Sequence, residues 1–589
     1  MILVDDLKKL DELIKVLKQQ MVFACDTEYT PDVASVKAEL LVISFAWHDN
    51  SAVIPCGIFS FREEKGKELL ASMVAEKLKP IMEDPRVIKA MHNSKADMHL
   101  FANYGVRVRG SFCTMIASFL CDENTLKTLK VRAAEVGMVL NEWKTEWKKS
   151  VPEFLAYADR DAVATFKLYK LYKKRLKEEG LYDVFKKQEN RLVPIVMQME
   201  RRGVLIDVDF LKKADKGAQK EIDSLEGQIY KLAGKTFNIG SPAQLGEVLY
   251  NEIGLEPVKV TKGGKASTDA ESLEAMEGKH KIVPLLLRHR RLAKLVSVYI
   301  GTEGLRSFLV GNKLHCNFNT VGTTTGRFAC SAPNLQTLPR ADEQDPSPWF
   351  HVRKAFIAPK GHKLIVADYD QIELKVLAHY SGDRRMLEAI RAGKDLHQAA
   401  ADAIGLPGKE GRQIAKSIMF SVAYGSGPRN IANKFNLPLE KAKHFLEVFY
   451  QKYSGVQVWK TDIVSLAKRQ GYIRLLTGRK RRVEGLTSDD WGLKARAERQ
   501  VVNSAIQASS ADIVKCAMLE MVKDNDILGY GYKMLLQVHD ELVGVVAERE
   551  AEQAAERVKY VMEHCLTVPL RVNITATVGI GNDWESGKA

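Results

Sequence analysis

Cysteine is scarce in this sequence, and the few cysteines form no recognisable framework. Eight of them are scattered through 589 residues, and none are spaced as a CxxC pair. Isolated cysteines of this kind are typical of buried thiols in a reducing compartment, and they argue against a structural zinc site or a disulfide-rich secreted domain. The sequence therefore predicts an intracellular, cytoplasmic location.

Long apolar runs are missing as well. None reaches the roughly 18 residues from which a membrane-spanning helix is recognised. The N-terminal segment MILVDDLKKLDELIKVLKQQ alternates charged and apolar residues at helical spacing, whereas a signal peptide places a basic stretch before an apolar one. Internal repeats and low-complexity tracts do not stand out either. We expect neither a membrane span nor a repeat architecture.

The sequence does contain enough apolar residues for several domains, together with an excess of positive charge. Hydrophobic residues make up 46% of the chain. At roughly 150 residues per domain, the length suggests about three or four structural units. Lysine and arginine number 88 against 74 acidic residues, which gives a net charge of +14. Such a balance suits a polyanionic partner such as nucleic acid.

The first 180 residues have an α/β pattern. Residues 21–24 and 40–47 are apolar enough for buried strands, and KELLASMVAEKLKPIM has helical spacing. Residues 166–180 combine an apolar stripe with many basic residues, so this helix is either a connector between units or an ordinary amphipathic surface helix. Longer helical patterns follow, and short strands alternate with helices in the remainder of the chain.

Four carboxylates in this α/β part have a spacing that suggests metal binding. Asp26 and Glu28 lie two residues apart at the end of a strand, so both side chains point to the same side. Asp97 follows in a later segment, and Tyr157 and Asp161 are four residues apart on a predicted helix. Carboxylates that converge from separate elements repel one another, and divalent cations are the usual compensation. Two Mg²⁺ ions about 4 Å apart could activate water against a phosphodiester, with Tyr157 orienting that water.

A second acidic pair is predicted in the C-terminal part. An apolar strand at residues 364–367 delivers Asp368 at its end, where a rigid sheet would fix the position of a metal ligand. The segment LLQVHDELVGVV is typical of a β-hairpin with Asp540 at its turn, between His539 and Glu541. Two aspartates on adjacent strand ends can hold two Mg²⁺ ions against a nucleoside triphosphate and a 3′-hydroxyl.

Between these two aspartates, the segment GRQIAKSIMFSVAYGSG has a regular four-residue spacing. It contains Arg412, Lys416, Phe420 and Tyr424, which would form one slowly drifting stripe on a helix. A stripe that is cationic at one end and aromatic at the other suits a triphosphate lying along the helix, with its base near the tyrosine. The alternative is an ordinary amphipathic helix.

These motifs resemble those of known families. The set Asp26, Glu28, Asp97, Tyr157 and Asp161 resembles the DEDD set of proofreading 3′–5′ exonucleases, in the subtype with a tyrosine four residues before the last aspartate. The C-terminal segments resemble motifs A, B and C of the family A (DNA polymerase I-like) DNA polymerases. The resemblance extends, in the family's order, to TTTGRFACSAPNLQTLPR, GKDLHQAAA, GYIRLLTGRKRR, AERQVVNSAIQASSADIVKCAM and QVHDEL. It covers nearly the whole chain.

The resemblance implies an α/β and α+β multidomain protein. A ribonuclease H-like exonuclease domain over residues 1–185 would precede a right-hand polymerase domain over residues 186–589. Within the polymerase we expect the thumb at about 190–310, the palm at about 311–384 and 511–589, and the fingers at about 385–510. Because the exonuclease pattern starts almost at residue 1, the arrangement resembles the Klenow type, without a 5′-nuclease domain.

The resemblance also implies roles for the matching residues. The polymerase metal ions would be held by Asp368, Asp540 and the backbone carbonyl of Tyr369, with Glu541 as an accessory catalytic residue beside them. The exonuclease metal ions would be held by Asp26, Glu28, Asp97 and Asp161. The residues expected to bind the nucleotide are Arg412, Lys416, Phe420, Tyr424, His397, Gln371 and Glu373. Those expected to contact DNA are Arg327, Arg340, Asn503, Gln507 and His539, and the basic segments RHRRLAKL and KVTKGGKAST would grip phosphates in the thumb.

The implied activity is DNA-templated DNA synthesis with proofreading, in DNA replication or repair. Glu373 would lie under the sugar of the incoming nucleotide, where a 2′-hydroxyl would clash, so deoxyribonucleotides are the expected substrates. The expected cofactors are two Mg²⁺ ions per active site, for which Mn²⁺ can substitute. The expected partners are primer–template DNA and dNTPs, and we expect a monomer.

Some positions depart from the commonest pattern of the family. The departures are Asp370, Lys375, Met419, Ser421 and Ala505. None removes an expected metal ligand or phosphate contact, so they bear on nucleotide discrimination and fidelity.

Two other functions are alternatives to a DNA polymerase. A single-subunit RNA polymerase would share the paired aspartates, but Glu373 and the proofreading set argue against it. A protein with a decayed polymerase half would have lost Asp368 or Asp540, and both are present.

Overall fold

The structure is a computed structural model that describes residues 1–31, 35–261, 263–339, 345–403, 405, 408–423, 427–434 and 437–588. Two compact units are distinguished. The first comprises Met1–Arg202, Phe318–Cys330 and Ala367–Gly579, and the second comprises Gly203–Asn317, Ser331–Val366 and Ile580–Ala589. No helix in the described ranges combines the length and the apolar character that crossing a bilayer would need. Seven of the eight cysteines are buried, as predicted, and Cys516 is half-buried.

The described secondary structure alternates helices and short strands in both units. The strands are β1 (Ile2–Leu3), β2 (Val22–Tyr29), β3 (Leu40–Trp47), β4 (Asn50–Pro55), β5 (Ile88–Met91), β6 (Ser111–Cys113), β7 (Val204–Ile206), β8 (Leu309–Val310), β9 (Lys313–Leu314), β10 (Asn317–Asn319), β11 (Ala329–Ser331), β12 (Phe356–Ile357), β13 (His362–Tyr369), β14 (Tyr472–Arg474), β15 (Lys480–Arg482), β16 (Lys533–Val538), β17 (Glu541–Ala547) and β18 (Ala576–Gly581). The α-helices are α1 (Leu7–Lys18), α2 (Ile58–Phe61), α3 (Ala71–Met82), α4 (Ser94–Asn103), α5 (Thr114–Cys121), α6 (Leu129–Ala133), α7 (Trp143–Glu146), α8 (Val151–Glu178), α9 (Tyr182–Val184), α10 (Asn190–Arg202), α11 (Val208–Ala233), α12 (Pro242–Gly246), α13 (Ala270–Glu274), α14 (Ile282–Leu295), α15 (Ile372–Ser381), α16 (Arg384–Arg391), α17 (Leu396–Ala403), α18 (Gly408–Ala423), α19 (Pro428–Lys434), α20 (Leu439–Lys452), α21 (Ser454–Gln470), α22 (Trp491–Met521), α23 (Asn525–Gly529) and α24 (Ala551–His564). Short 3₁₀ segments are Ala134–Val136, Leu305–Phe308, Leu335–Thr337, Pro348–Phe350, Val352–Ala355 and Glu548–Glu550, and π-helical segments are Phe185–Glu189, Glu247–Glu252 and Val296–Ile300.

The N-terminal part of the first unit is built on a six-stranded sheet. Its order is β1-β4-β3-β2-β5-β6, in which β2 is antiparallel to β3 and parallel to β5. Strand β3, with the sequence LLVISFAW, is buried at every position, as expected of an apolar run covered on both faces. The predicted α/β character of this part is therefore confirmed, and β2 is an inner strand of the sheet.

Helix α8 packs along this sheet and carries two of the predicted site residues. It begins with a capping box formed by Ser150 and Glu153, with proline in its first turn. Phe166, Tyr169 and Tyr172 on its C-terminal half are buried in the core of the N-terminal part. The segment predicted as a helix at residues 166–180 is thus the C-terminal half of α8, and one of its faces packs into this core.

Buried ion pairs join this N-terminal part to later segments of the first unit. The Lys515 ammonium on α22 contacts the Glu189 carboxylate at 2.8 Å, and both side chains are almost fully buried. Arg481 and Arg482 at the β14–β15 ribbon both bind Glu123, which follows α5. Because a buried charge without its partner is costly, these pairs hold the segments in a defined arrangement.

The other sheet of interest has the order β16-β17-β13-β18. Strands β16 and β17 form an antiparallel hairpin in which Val538 is opposite Glu541, so His539 and Asp540 form a two-residue turn. His539 has a φ of 58°, in the left-handed region that two-residue hairpin turns require. The hairpin predicted from LLQVHDELVGVV is therefore confirmed.

The second unit contains the basic segment RHRRLAKL, which lies on α14. Arg288 donates to Glu221 of α11 at 2.6 Å and also pairs with Asp345, while His289 contacts Glu226 of α11 at 3.1 Å. The contacts of Arg288 with Glu221 and of His289 with Glu226 attach α14 to α11 within the unit. Part of the positive charge of this segment is neutralised by acidic residues of the same unit. The contact of the segment with DNA phosphates stays a prediction.

Candidate active sites

The four-carboxylate site (Asp26, Glu28, Asp97 and Asp161) lies on the N-terminal sheet. Asp26 and Glu28 are on β2, which continues to Tyr29, so they lie within the strand and not at its end. Asp161 comes from α8. One carboxylate oxygen from each of Asp26, Glu28 and Asp161 lies within 4.8 Å of the others. The structure thus brings Asp161 of α8 next to Asp26 and Glu28 of β2, although the helix and the strand are far apart in the sequence.

The fourth carboxylate, Asp97, lies in the first turn of α4. Thr27 Oγ1 donates a hydrogen bond of 2.7 Å to Asp97 Oδ1, and the other oxygen, Oδ2, is buried without a hydrogen-bond partner among the described residues. Burial and the negative charge of Asp97 raise the pKa of Asp26 well above its usual range. Asp97 therefore belongs to the site, because its charge acts on Asp26.

The electrostatics of this site are suited to bound cations. Burial raises the pKa of Glu28 to about 8 and that of Asp97 to about 7, and it also raises the pKa of Asp161. Mutual repulsion adds to this effect, because the charge of Asp161 raises the pKa of Glu28 further. Asp161 Oδ1, like Asp97 Oδ2, is buried without a hydrogen-bond partner among the described residues. Clustered carboxylates with unsatisfied oxygens are the ligand set that Mg²⁺ and similar divalent ions take.

Three residues at this site were not predicted from the sequence. Besides Thr27, they are Trp143, whose Nε1 donates to Glu28 Oε2 at 2.9 Å, and Lys130, whose Nζ contacts Asp161 and Tyr157. Only Thr27 had a sequence signal, because it lies between the two acidic residues of β2. Nothing in the spacing of Lys130 or Trp143 marks them as neighbours of the carboxylates.

The second site is formed by the paired aspartates Asp368 and Asp540. Asp368 lies near the end of β13, and the backbone N–H of Tyr369 donates to the backbone carbonyl of Asp540 at 3.3 Å. Burial, followed by the negative charge of Asp368, raises the pKa of Asp540 to about 6. The phenol of Tyr369 donates to the Met562 carbonyl at 2.8 Å. The side chain is therefore engaged elsewhere, and the backbone carbonyl is the group that Tyr369 can offer to a metal ion.

A cavity of about 300 Å³ is lined in part by Asp540, one of the paired aspartates. The predicted site residues that line it are Arg327, Gln371, Glu373, His539 and Asp540. The Arg327 guanidinium forms an ion pair with the Glu373 carboxylate, and Glu373 is buried. Glu541, the residue after Asp540, begins β17 and is buried as well.

One face of α22 also borders this cavity. Ser510 and Val514 line it, and Gln507 and Asn503 lie one and two helical turns before Ser510 on the same helix. Residues at such three- and four-residue intervals share a helix face. Asn503 Oδ1 is buried without a hydrogen-bond partner among the described residues. The predicted DNA-contacting residues of α22 therefore lie on the face that borders the cavity.

Arg412, Lys416 and His397 form a further group on α17 and α18. Arg412 forms an ion pair of 2.7 Å with Asp395, just before α17. Burial, with added repulsion from Lys416 and Arg412, lowers the pKa of His397 to about 4. The structure thus brings three predicted nucleotide-binding residues together. Of the other predicted residues, Arg340 and Tyr424 lie outside the described part of the chain, as does the side chain of Phe420.

Two of the departures from the family pattern are joined in the structure. Asp370 accepts hydrogen bonds of 2.7 Å from Thr575 and from Thr577, and Lys375 donates to Thr575. These hydrogen bonds connect the chain just after Asp368 to Thr575, which precedes β18, and to Thr577 within β18. Met419 and Ala505 are buried and Ser421 is half-buried, and no contact explains these three substitutions.

The geometry is that of a protein with two separate acidic centres. Both are suited to divalent metal ions; one lies on an α/β sheet, and the other lies beside a cavity at a β-hairpin. Comparisons with known proteins identify the family. A family model described as "3'-5' exonuclease" matches residues 1–177, and one described as "DNA polymerase family A" matches residues 208–586. Because the second match covers more than half of the chain, the chain belongs to DNA polymerase family A.

Comparisons with individual proteins support this family assignment. The chain is 31% identical over 610 residues to "DNA polymerase I" of Chloroflexus aurantiacus, covering 99% of this chain and 63% of the relative. It is 37% identical over 442 residues to "DNA polymerase I, thermostable" of Thermus filiformis, covering 74% and 52%. A solved structure, "POL domain of Pol1 from M. smegmatis complex with DNA primer-template and dNTP", matches with a TM-score of 0.88 and 26% identity over 100% of both chains. The chain spans between half and two thirds of the length of these curated relatives.

Proposed function

We propose that this protein is a DNA-templated DNA polymerase that extends a primer 3′ end with dNTPs and removes mismatched 3′ ends with its exonuclease site. The observation that carries the proposal is the placement of Asp540 beside Asp368 at a cavity lined by Arg327 and Glu373. Family membership supports it, and the DNA polymerase I relatives and the solved Pol1 domain with DNA primer-template and dNTP point to the same activity. A role in replication or repair follows from this activity.

In this proposal each group of residues has a distinct task. Asp368, Asp540 and the Tyr369 carbonyl would hold two Mg²⁺ ions, or Mn²⁺ in their place, and Asp26, Glu28, Asp97 and Asp161 would hold two more. When bound, the ions stabilise the charge that develops on phosphate oxygens and favour ionisation of the attacking hydroxyl or water. Arg412, Lys416 and His397 would bind the triphosphate, with Phe420 and Tyr424 beside the base. Arg327, Arg340, Asn503, Gln507 and His539 would contact the primer–template.

We further propose that the protein is intracellular and acts as a monomer. The scattered, mostly buried cysteines suit a reducing compartment. The division into an exonuclease domain at 1–185 and a polymerase domain at 186–589, with thumb, palm and fingers, is also a proposal, supported by the two family matches.

The test of the function is primer extension by the purified protein. With Mg²⁺, a primed DNA template and dNTPs, we expect template-dependent extension, and without dNTPs we expect removal of a mismatched 3′ nucleotide. Addition of EDTA should stop both reactions, because both sites depend on divalent ions. A protein that degrades the primer but never extends it would contradict the polymerase proposal.

Sugar selection gives a second prediction, at Glu373. Replacing Glu373 with alanine is expected to raise the ratio of ribonucleotide to deoxyribonucleotide incorporation by at least about tenfold, because a pocket enlarged by several atoms no longer rejects the 2′-hydroxyl. The ratio of kcat/KM for the two nucleotides measures this. Arg327→Ala is the matched control, because it breaks the same ion pair while keeping the bulk of Glu373. Equal relaxation in both variants would contradict a steric role.

A further inference from the structure

A lysine side chain reaches into the four-carboxylate site. Lys130 lies on the short helix α6. Its Nζ donates hydrogen bonds to Asp161 Oδ2 at 2.5 Å and to Tyr157 Oη at 2.9 Å, and it lies 4.3 Å from the centre of the Tyr157 ring. The side chain of Lys130 is 15% exposed and that of Asp161 is 5% exposed. Because water screens such a pair poorly, its charge interactions are stronger than on the surface.

The positive charge of Lys130 acts on most of the site. Burial raises the pKa values of Asp26, Glu28 and Asp161, and repulsion from neighbouring carboxylates adds to this effect at Asp26 and Glu28, whereas the charge of Lys130 lowers all three. The site therefore contains a fixed positive charge among ligands that suit divalent cations. A fixed charge of this sign repels a divalent cation, so its presence has a cost in metal affinity.

The contacts of Lys130 also divide the two oxygens of Asp161 between two tasks. Oδ2 accepts the hydrogen bond from Lys130, whereas Oδ1 is buried without a hydrogen-bond partner among the described residues. The same ammonium fixes the hydroxyl of Tyr157, one helical turn earlier on α8. Lys130 thus links the tyrosine and the aspartate that the exonuclease reaction would use together.

We propose that Lys130 is a positioning residue of the exonuclease site, which holds Tyr157 and one oxygen of Asp161 in place and leaves the other oxygen for metal binding. This inference rests on the proposed exonuclease function. It predicts two opposite effects when the charge is removed. Metal ions bind more tightly because the repulsion between Lys130 and the cation is relieved. Hydrolysis nevertheless slows, because the side chains of Tyr157 and Asp161 are no longer held in fixed positions. A residue that only supported the fold would weaken both.

The experiment compares the full-length protein with its Lys130→Met variant, both in an Asp540→Ala background that weakens the other metal site. Mn²⁺ titration followed by electron paramagnetic resonance gives metal affinity, and release of a mismatched 3′ nucleotide gives the rate. We expect Mn²⁺ affinity to rise by roughly tenfold, comparable to the effect of one neighbouring charge on a proton equilibrium. The rate should fall by about 10–100-fold, as for residues that orient metal ligands.

Two further variants make the result specific. Lys130→Arg keeps the charge, so Mn²⁺ affinity should return to the parent value and part of the rate should be restored. Lys18→Met removes an exposed lysine on α1 and should change neither quantity. An unchanged rate in Lys130→Met, or a joint fall of rate and Mn²⁺ affinity, would overturn the inference. If the parent protein releases no nucleotide at all, the proposed exonuclease function fails, while the Mn²⁺ titration still decides whether Lys130 opposes metal binding.

Discussion

Replacing Asp540 with alanine is expected to reduce primer extension by about a thousandfold or more while leaving exonuclease activity intact. Metal ions held by such carboxylates contribute several kcal/mol to stabilising the transition state, and each loss of about 1.4 kcal/mol is a tenfold loss of rate. Asp540 lies at the hairpin turn beside Asp368, where burial and the charge of its neighbour raise its pKa to about 6. Alanine provides no ligand there.

The structure indicates that this variant should fold. The hydrogen bond between Asp540 and Tyr369 uses only backbone atoms, so it survives the substitution, and the change relieves repulsion with Asp368. Single-nucleotide extension and release of a mismatched 3′ end, measured on the same preparation, separate the two activities. Asp462→Ala, which removes an exposed aspartate on α21, serves as the control and should extend normally. Wild-type extension by Asp540→Ala would refute the assignment of the polymerase site.

The parts of the fold that could be predicted are those with a strong local pattern. The hairpin of β16 and β17 was predictable because two apolar strands flank a short charged turn. The placement of Tyr157 and Asp161 on one helix followed in the same way from their four-residue spacing. In both cases the residues that determine the structure are neighbours in the sequence, so periodicity alone identifies them.

The parts that could not be predicted depend on contacts between distant segments. Glu123 and Arg481, which join the N-terminal part to the β14–β15 ribbon, are 358 residues apart. Lys130 reaches Asp161 across 31 residues with no shared periodicity. Charged residues on a short helix are usually solvated, so a sequence gives no reason to prefer a buried position for one of them. Such positions follow from packing, which the sequence pattern does not describe.

The four-carboxylate site gives the second large effect. Asp26→Ala is expected to lower the release of mismatched 3′ nucleotides by about a thousandfold or more, for the same energetic reason as in Asp540→Ala, while primer extension stays at the parental level. Quenched-flow measurement of nucleotide release from a mismatched primer checks the first part. Asp11→Ala, which removes an exposed carboxylate paired only at the surface with Lys77, is the control and should be nearly neutral.

Thermal stability distinguishes loss of a metal ligand from loss of structure in this variant. Burial and the charges of neighbouring carboxylates raise the pKa values of Asp26 and Glu28, so without metal these side chains repel their neighbours. Removing Asp26 should therefore leave the metal-free Tm unchanged or higher. With Mn²⁺ added, the parent protein should gain stability through binding, whereas Asp26→Ala should gain much less. An inactive variant with a lower metal-free Tm would instead indicate a structural role for Asp26, since the loss of activity would then follow from a damaged sheet.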